Sequence, residues 1–205
     1  MSAISSILSA VAPWSQATLS ESDRCVIITC PSFGLNDPQS RTTSYASPIV
    51  KNSRHETANF DNLSALRIHC LKFGDYVRSI PPPYPEQCDF IIYDDSNRVF
   101  CLVEMKVTTS SGVKTRQLRK TLEHLFNVSG VRLFADPFSS KRCCYFRKTP
   151  PSPAPTQTVV TAFNRPAKIT SGCGRRVTNS QLTKGISTYG FELWHFSDYD
   201  VCQLA

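Results

Sequence analysis

Asp89 and the triplet Glu104-Met105-Lys106, which begins fifteen residues later, are the residues of this chain best suited to chemistry. Each belongs to an apolar, strand-like run: Cys88-Asp89-Phe90-Ile91-Ile92-Tyr93, then Val99 through Val107. Between the runs lies Asp94-Asp95-Ser96-Asn97-Arg98, made of turn-forming types. With Ser96-Asn97 at the centre of a hairpin loop, Asp89 is expected directly opposite Glu104. Opposed residues on paired strands share a face, and like charges placed so cost roughly 0.2–1 kcal/mol. A cation between the carboxylates reverses that penalty, and a divalent metal ion would serve. Lys106, two residues beyond Glu104 and therefore on the same face, would stand beside it.

This layout resembles the PD-(D/E)XK phosphodiesterase superfamily, the restriction-endonuclease-like fold. The resemblance covers about forty residues, from Asp89 to the helix expected after Lys106. Cys88 stands where the family motif carries proline, and the nearest prolines are Pro83 and Pro85. The resemblance implies that Asp89 and Glu104 hold Mg²⁺ or Mn²⁺ and that Lys106 orients and activates the attacking water. It implies a polar helix residue near the metal or the scissile phosphate, for which Gln117 has the right place. Glu56 is the upstream acid that best fits a further ligand. His124 and His195 suggest general bases, but the family usually needs no histidine, and an imidazole in an aromatic strand is expected to be packed. The implied fold is α/β, a mixed central sheet flanked by helices. The implied function is Mg²⁺-dependent hydrolysis of phosphodiester bonds, in a bacterial antiviral-defence or DNA-processing system. The superfamily also contains members that have lost catalysis. The alternative is therefore a catalytically inactive protein of the same fold that binds nucleic acid or docks a partner protein.

Charge supports a nucleic-acid partner, and DNA is expected ahead of RNA. The formal net charge is +7, and between Lys141 and Lys184 there are nine Lys or Arg and no Asp or Glu. Lys114, Arg116, Arg119 and Lys120 precede the first acid of the expected helix, Glu123. Affinity for nucleic acid comes largely from neutralising phosphates, so Lys114, Arg116, Arg165, Lys168, Arg175, Arg176 and Lys184 are expected to contact the backbone. A basic surface docking an acidic partner protein, or a second copy of the chain, is also compatible.

Composition narrows the class. A 205-residue chain with 40% hydrophobic and 19% charged residues is that of an ordinary globular protein. Nine cysteines without a C-x-x-C pair favour reduced thiols over bridges or zinc. No eighteen-residue apolar stretch and no signal-peptide pattern occur, so no membrane span and a cytoplasmic location are expected.

These residues need elements to position them. Residues 1–54 read as an N-terminal extension (short helix, strand and polar loop), and 55–205 as the nuclease-like domain, with a Pro-rich loop at 149–157. Arg24 to Thr29 reads as a short buried strand. In His55 to Cys70, Leu63, Leu66 and Cys70 recur at helical spacing. Tyr76 to Ile80 and Thr158 to Phe163 read as strands, and Gly190 to Phe196 as a stronger one. Val113 to Phe126 reads as an amphipathic helix with Leu118, Leu122, Leu125 and Phe126 as its apolar stripe. A further strand is expected at Val131 to Phe134 or Cys143 to Phe146.

Overall fold

The two apolar runs around the motif pair as neighbouring central strands of a seven-stranded sheet. The computed structural model describes residues 25–36, 57–73, 86–108, 112–127, 129–148, 172–197 and 200–204. Its strands are β1 (Cys25–Ile28), β2 (Ser32–Asn36), β3 (Thr57–Asp61), β4 (Ile68–Lys72), β5 (Phe90–Asp94), β6 (Val99–Val107), β7 (Ser140–Lys148), β8 (Arg175–Arg176), β9 (Glu192–Phe196) and β10 (Val201–Gln203). Its helices are α1 (Arg116–Phe126), α2 (Ser129–Ala135) and the short α3 (Ser180–Thr183), with a 3₁₀ turn at Ser187–Tyr189. The large sheet runs β1-β4-β5-β6-β7-β9-β8. It is antiparallel from β1 to β6, then β7 and β9 add in parallel, and β8 closes it antiparallel to β9. A parallel neighbour needs a crossover, and α1 and α2 form the one between β6 and β7. A second sheet, β10-β3-β2, has β10 parallel and β2 antiparallel to β3. The architecture is α/β with a mixed sheet.

Strand alternation divides the core in two. Ile91, Tyr93, Phe100, Leu102, Cys143, Tyr145 and Leu193 meet the apolar side of α1 (Leu118, Leu122, Leu125, Phe126) and α2. Phe90, Ile92, Cys101, Val103, Met105, Cys144, Phe146 and Phe196 face the other way and pack on Phe33, Ala58 and Phe60 of the small sheet. The motif hairpin thus lies between a helical layer and a second sheet. Its strands are buried on both faces, which is why they read as unbroken apolar runs.

Several expectations change. Within the stretch read as an extension, residues 25–36 supply β1 to the large sheet and β2 to the small one. β1 is an edge strand, with Val26 and Ile27 exposed rather than buried. The helical spacing of Leu63, Leu66 and Cys70 does not make a helix: β3 and β4 flank a turn, and Leu63 sits in that turn 74% exposed. Val131 to Phe134 is part of α2, and the expected strand is β7. Helix α1 starts at Arg116, with Thr115 as its N-cap, later than Val113. Met1 to Gln16, Glu56, Tyr76 to Ile80, the 149–157 loop, Thr158 to Phe163, Arg165 and Lys168 lie outside the described residues. All nine cysteines are free thiols, and no described helix is long and apolar enough to cross a membrane.

Hairpin register is fixed at the turn. Buried Asp94 accepts the backbone N–H groups of Arg98 at 2.8 Å and Val99 at 2.6 Å on one oxygen. The other accepts the Ser96 N–H at 2.9 Å and the Ser96 hydroxyl. Asn97 completes the turn at φ 57°, a left-handed conformation that asparagine tolerates. Asp94→Ala strands the buried Val99 N–H and removes three part-buried hydrogen bonds from Ser96 and Arg98, so it should lower stability by about 2–3 kcal/mol in urea unfolding. A loss under about 0.5 kcal/mol would mean that backbone pairing alone holds the turn.

Candidate functional site

Pairing within the hairpin is Phe90↔Val103 through Tyr93↔Phe100, the register that the turn residues imply. It breaks at Asp89. The Asp89 N–H donates to the Val103 carbonyl at 3.0 Å, so Asp89 and Phe90 both oppose Val103. Two residues against one is the signature of a bulge, a device that re-aims a side chain. Cys88 and Ile91 both join the helix-side core, so regular alternation does not run between them. Asp89 is therefore not the simple partner of Glu104 that regular pairing predicts. Its Oδ2 accepts the Met105 N–H at 2.7 Å, which brings the carboxylate onto β6 beside Glu104. Both acids act electrostatically on Lys106 and on Cys88.

Glu104 is the central group. It is 1% exposed, and its Oε1 lies 2.8 Å from Nζ of Lys106, whose side chain is 37% exposed. Burial works against the ammonium, but Glu104, with Asp89 behind it, outweighs this and holds the Lys106 pKa above its ordinary value. The Cys88 thiol is pushed well up by burial first and then by Glu104 and Asp89. Cys88 marks the same negative region from below.

Helix α1 clamps the segment before the bulge. Thr121 Oγ accepts the Cys88 N–H at 2.7 Å while donating to the Gln117 carbonyl at 2.9 Å. Gln117 Nε2 donates to the Gln87 carbonyl at 3.1 Å. The structure thus puts Gln117 at the backbone two residues before Asp89. His124 lies one helical turn past Lys120 in the last turn of α1, with its pKa lowered by burial and then by Lys120.

Across the sheet, the position of Glu104 continues through Tyr145 on β7 and His195 on β9 to Arg175 on β8, each directly opposite the last. Lys106 is opposite Arg147. Sequence reasoning passed over Tyr145 and set His195 aside. Nothing local marks them, because only the register of three parallel strands lines them up. The basic residues divide by face. Arg147 and Arg175 share the helix side with Glu104. Arg142, Lys148 and Arg176 alternate to the other, where Arg142 lies over Trp194 and donates to the Gln203 carbonyl, and Arg176 pairs with Glu192. Arg116 pairs with Glu86 at 2.7 Å, while Lys114 and Lys184 are exposed.

Of the groups near the end of β6, the carboxylates of Asp89 and Glu104 are the hard-oxygen donors that could hold Mg²⁺ or Mn²⁺, with waters and substrate in the remaining positions. Among the described residues no group of three or more His, Cys, Asp or Glu gathers for a metal ion. No family model, curated protein or solved structure matches the chain.

Two measurements probe this site. Lys106→Met leaves the buried Glu104 charge uncompensated and should cost about 1–3 kcal/mol, between the exposed and buried limits for an ion pair. Glu104→Gln with Lys106→Met should recover most of that loss in urea unfolding, and a double variant no better than the single one would refute the pairing. His195 has its pKa lowered by burial, then by Arg175 and Arg147, against Asp200. The folded state therefore binds fewer protons than the unfolded one below about pH 6.5, the ordinary histidine value. Stability should be full above that pH and fall as pH drops toward the folded value. His195→Gln should flatten that fall, leaving the part due to His124, and an unchanged profile would refute it.

Proposed function

We propose that this chain is a Mg²⁺- or Mn²⁺-dependent nuclease of the restriction-endonuclease-like type that hydrolyses phosphodiester bonds, with DNA the favoured substrate. The observation that carries the reading is the Glu104–Lys106 ion pair at the end of β6, with the Asp89 carboxylate held on the Met105 N–H between those two positions in the chain and acting electrostatically on Lys106. Asp89 and Glu104 would hold the metal, which when bound lowers the pKa of water and offsets charge on phosphate oxygens. Lys106, kept protonated by its acidic neighbours, orients the attacking water and stabilises negative charge developing on the phosphate. Gln117 and Thr121 act one step back, by fixing the backbone from which Asp89 projects. Arg147 and Arg175 supply positive charge on the same face for the substrate backbone. Exposed Lys114 and Lys184 extend that surface.

A second reading has its own observation. Lys106 already provides the countercharge to Glu104, and two acids are all that the described residues bring to this place. That favours a catalytically inactive protein of the same fold, one that holds nucleic acid or docks a partner protein.

Incubating plasmid, single-stranded DNA and RNA with Mn²⁺ separates the two. The nuclease reading expects cleavage that Glu104→Gln abolishes and Lys106→Met slows by roughly a hundredfold or more, the scale of one positioned electrostatic group. Both variants should be assayed where urea unfolding shows them folded. Equal cutting by both variants would remove the site from the reaction. No cutting by wild type, with DNA retention that weakens steeply as salt rises, would establish the binding reading.

A further inference from the structure

The helix-side end of β7 and β9 carries a concentration of buried polar atoms that the Glu104 site does not use. Arg147 Nε and both ring nitrogens of His195 are buried with no partner in hydrogen-bonding geometry among the described residues, and beside them the buried Tyr145 hydroxyl meets only the backbone of Lys114. Tyr145 and His195 are at least nine-tenths buried, opposite one another in register, with ring centroids 5.8 Å apart. Arg147 follows Tyr145 by two residues on the same face, and Arg175 stands directly across from His195. Buried polar groups are nearly always satisfied, and several unsatisfied at one place call for a bound species.

The chemistry of these groups selects an anion. Arg147 and Tyr145 are donors, and a protonated imidazole donates from both nitrogens. Positive charge surrounds them: Lys106 lies opposite Arg147, and Arg175 lies opposite His195. Of the acids, Glu104 reaches Tyr145 and Asp200 reaches His195. β6, β7 and β9 are parallel, so Glu104, Tyr145 and His195 all lie toward their carboxyl ends, where open α/β sheets bind ligands.

We propose that Tyr145, Arg147, His195 and Arg175 form a phosphate-binding pocket, next to the Glu104 and Lys106 pair and distinct from it. Its anion is a phosphate group, borne by a terminal or an internal nucleotide. Assigning that phosphate to the chain cut at Glu104 rests on the proposed function; the anion site itself does not. Glu104 and His195 are two strand spacings apart, about 10 Å, far enough for the pocket to hold a different phosphate from the scissile one. Burial and the two arginines disfavour charge on His195 when the pocket is empty. An arriving phosphate opposes the arginines, so binding should draw a proton onto the ring.

The test uses the full chain without divalent metal. Inorganic phosphate is titrated while the histidine ring signals are followed by NMR, with chloride at matched ionic strength as control. His195 should shift saturably, and its pKa should rise by about one unit at saturation. Arg147→Ala and the conservative Tyr145→Phe should each weaken phosphate binding, the former about tenfold, with folding checked by urea unfolding. A His195 response that chloride reproduces, or that never saturates, would overturn the proposal and leave hydration as the partner of these atoms. Because wild type alone gives that result, a misfolded variant cannot obscure it. Oligonucleotides with and without a 5′-phosphate then identify the source. About tenfold preference for the phosphorylated form assigns a terminal phosphate. Equal affinity that falls with Arg147→Ala assigns an internal one, and equal affinity indifferent to the pocket variants overturns the nucleic-acid assignment. Glu104→Gln separates the two readings: cleavage should vanish while the phosphate response of His195 persists.

Discussion

A carboxylate held at 1% exposure in the middle of a sheet sets the terms for everything around it. Taking such a charge out of water costs several kcal/mol, recovered only by close pairing. Lys106 at 2.8 Å supplies that pairing from two residues along the same strand. The arrangement is local in sequence, yet it demands that β6 be continuous, flat enough to keep both side chains on one face, and buried by other layers. The nine-residue length of β6 and its position between β5 and β7 meet that demand. Helix α1 closes one face, and the small sheet, through Phe33, Ala58 and Phe60, closes the other.

The bulge at Asp89 resolves a conflict built into the hairpin. Regular pairing would set a second carboxylate directly opposite a buried one, with nothing but Lys106 to offset both. By opposing Val103 with two residues, the chain turns Asp89 toward the Met105 N–H, where one of its oxygens gains a charge-assisted hydrogen bond. Thr121 and Gln117 take up backbone groups of the same segment, so the irregular chain is not left with stranded donors and acceptors. The acid stays on the backbone of β6, at the residue next in sequence to Glu104, without the full cost of facing it.

How much of this could be read beforehand differs from element to element. The register of β5 and β6 was legible because turn chemistry is local: Asp94, Ser96 and Asn97 fix it within five residues. The stripe of α1 was legible because four apolar residues repeat at helical spacing within an eleven-residue helix. Between β3 and β4 the same spacing misleads, since Leu66 and Cys70 are buried by a strand and its approach while Leu63 lies in a turn. The bulge was hidden because a period of two in the sequence cannot report one extra residue. The Tyr145 and His195 alignment was hidden because it depends on how β7 and β9 slide against β6, which is tertiary information.

Charge teaches a related lesson about position. Nine basic residues from Lys141 to Lys184 look like one patch along the chain. A strand sends neighbouring side chains to opposite faces, so β7 and β8 divide that patch. Arg142 is spent on Trp194 and the Gln203 carbonyl, and Arg176 on Glu192, both away from Glu104. Arg147 and Arg175 remain on the helix side, in line with Lys106 and His195. What faces the carboxylates is therefore not a diffuse basic surface but a short gradient, from two acids at the end of β6 to two arginines on β7 and β8. A phosphodiester has matching needs, since its oxygens require positive charge while a hard cation beside them requires carboxylates. The two ends of that gradient offer both within about three strand spacings.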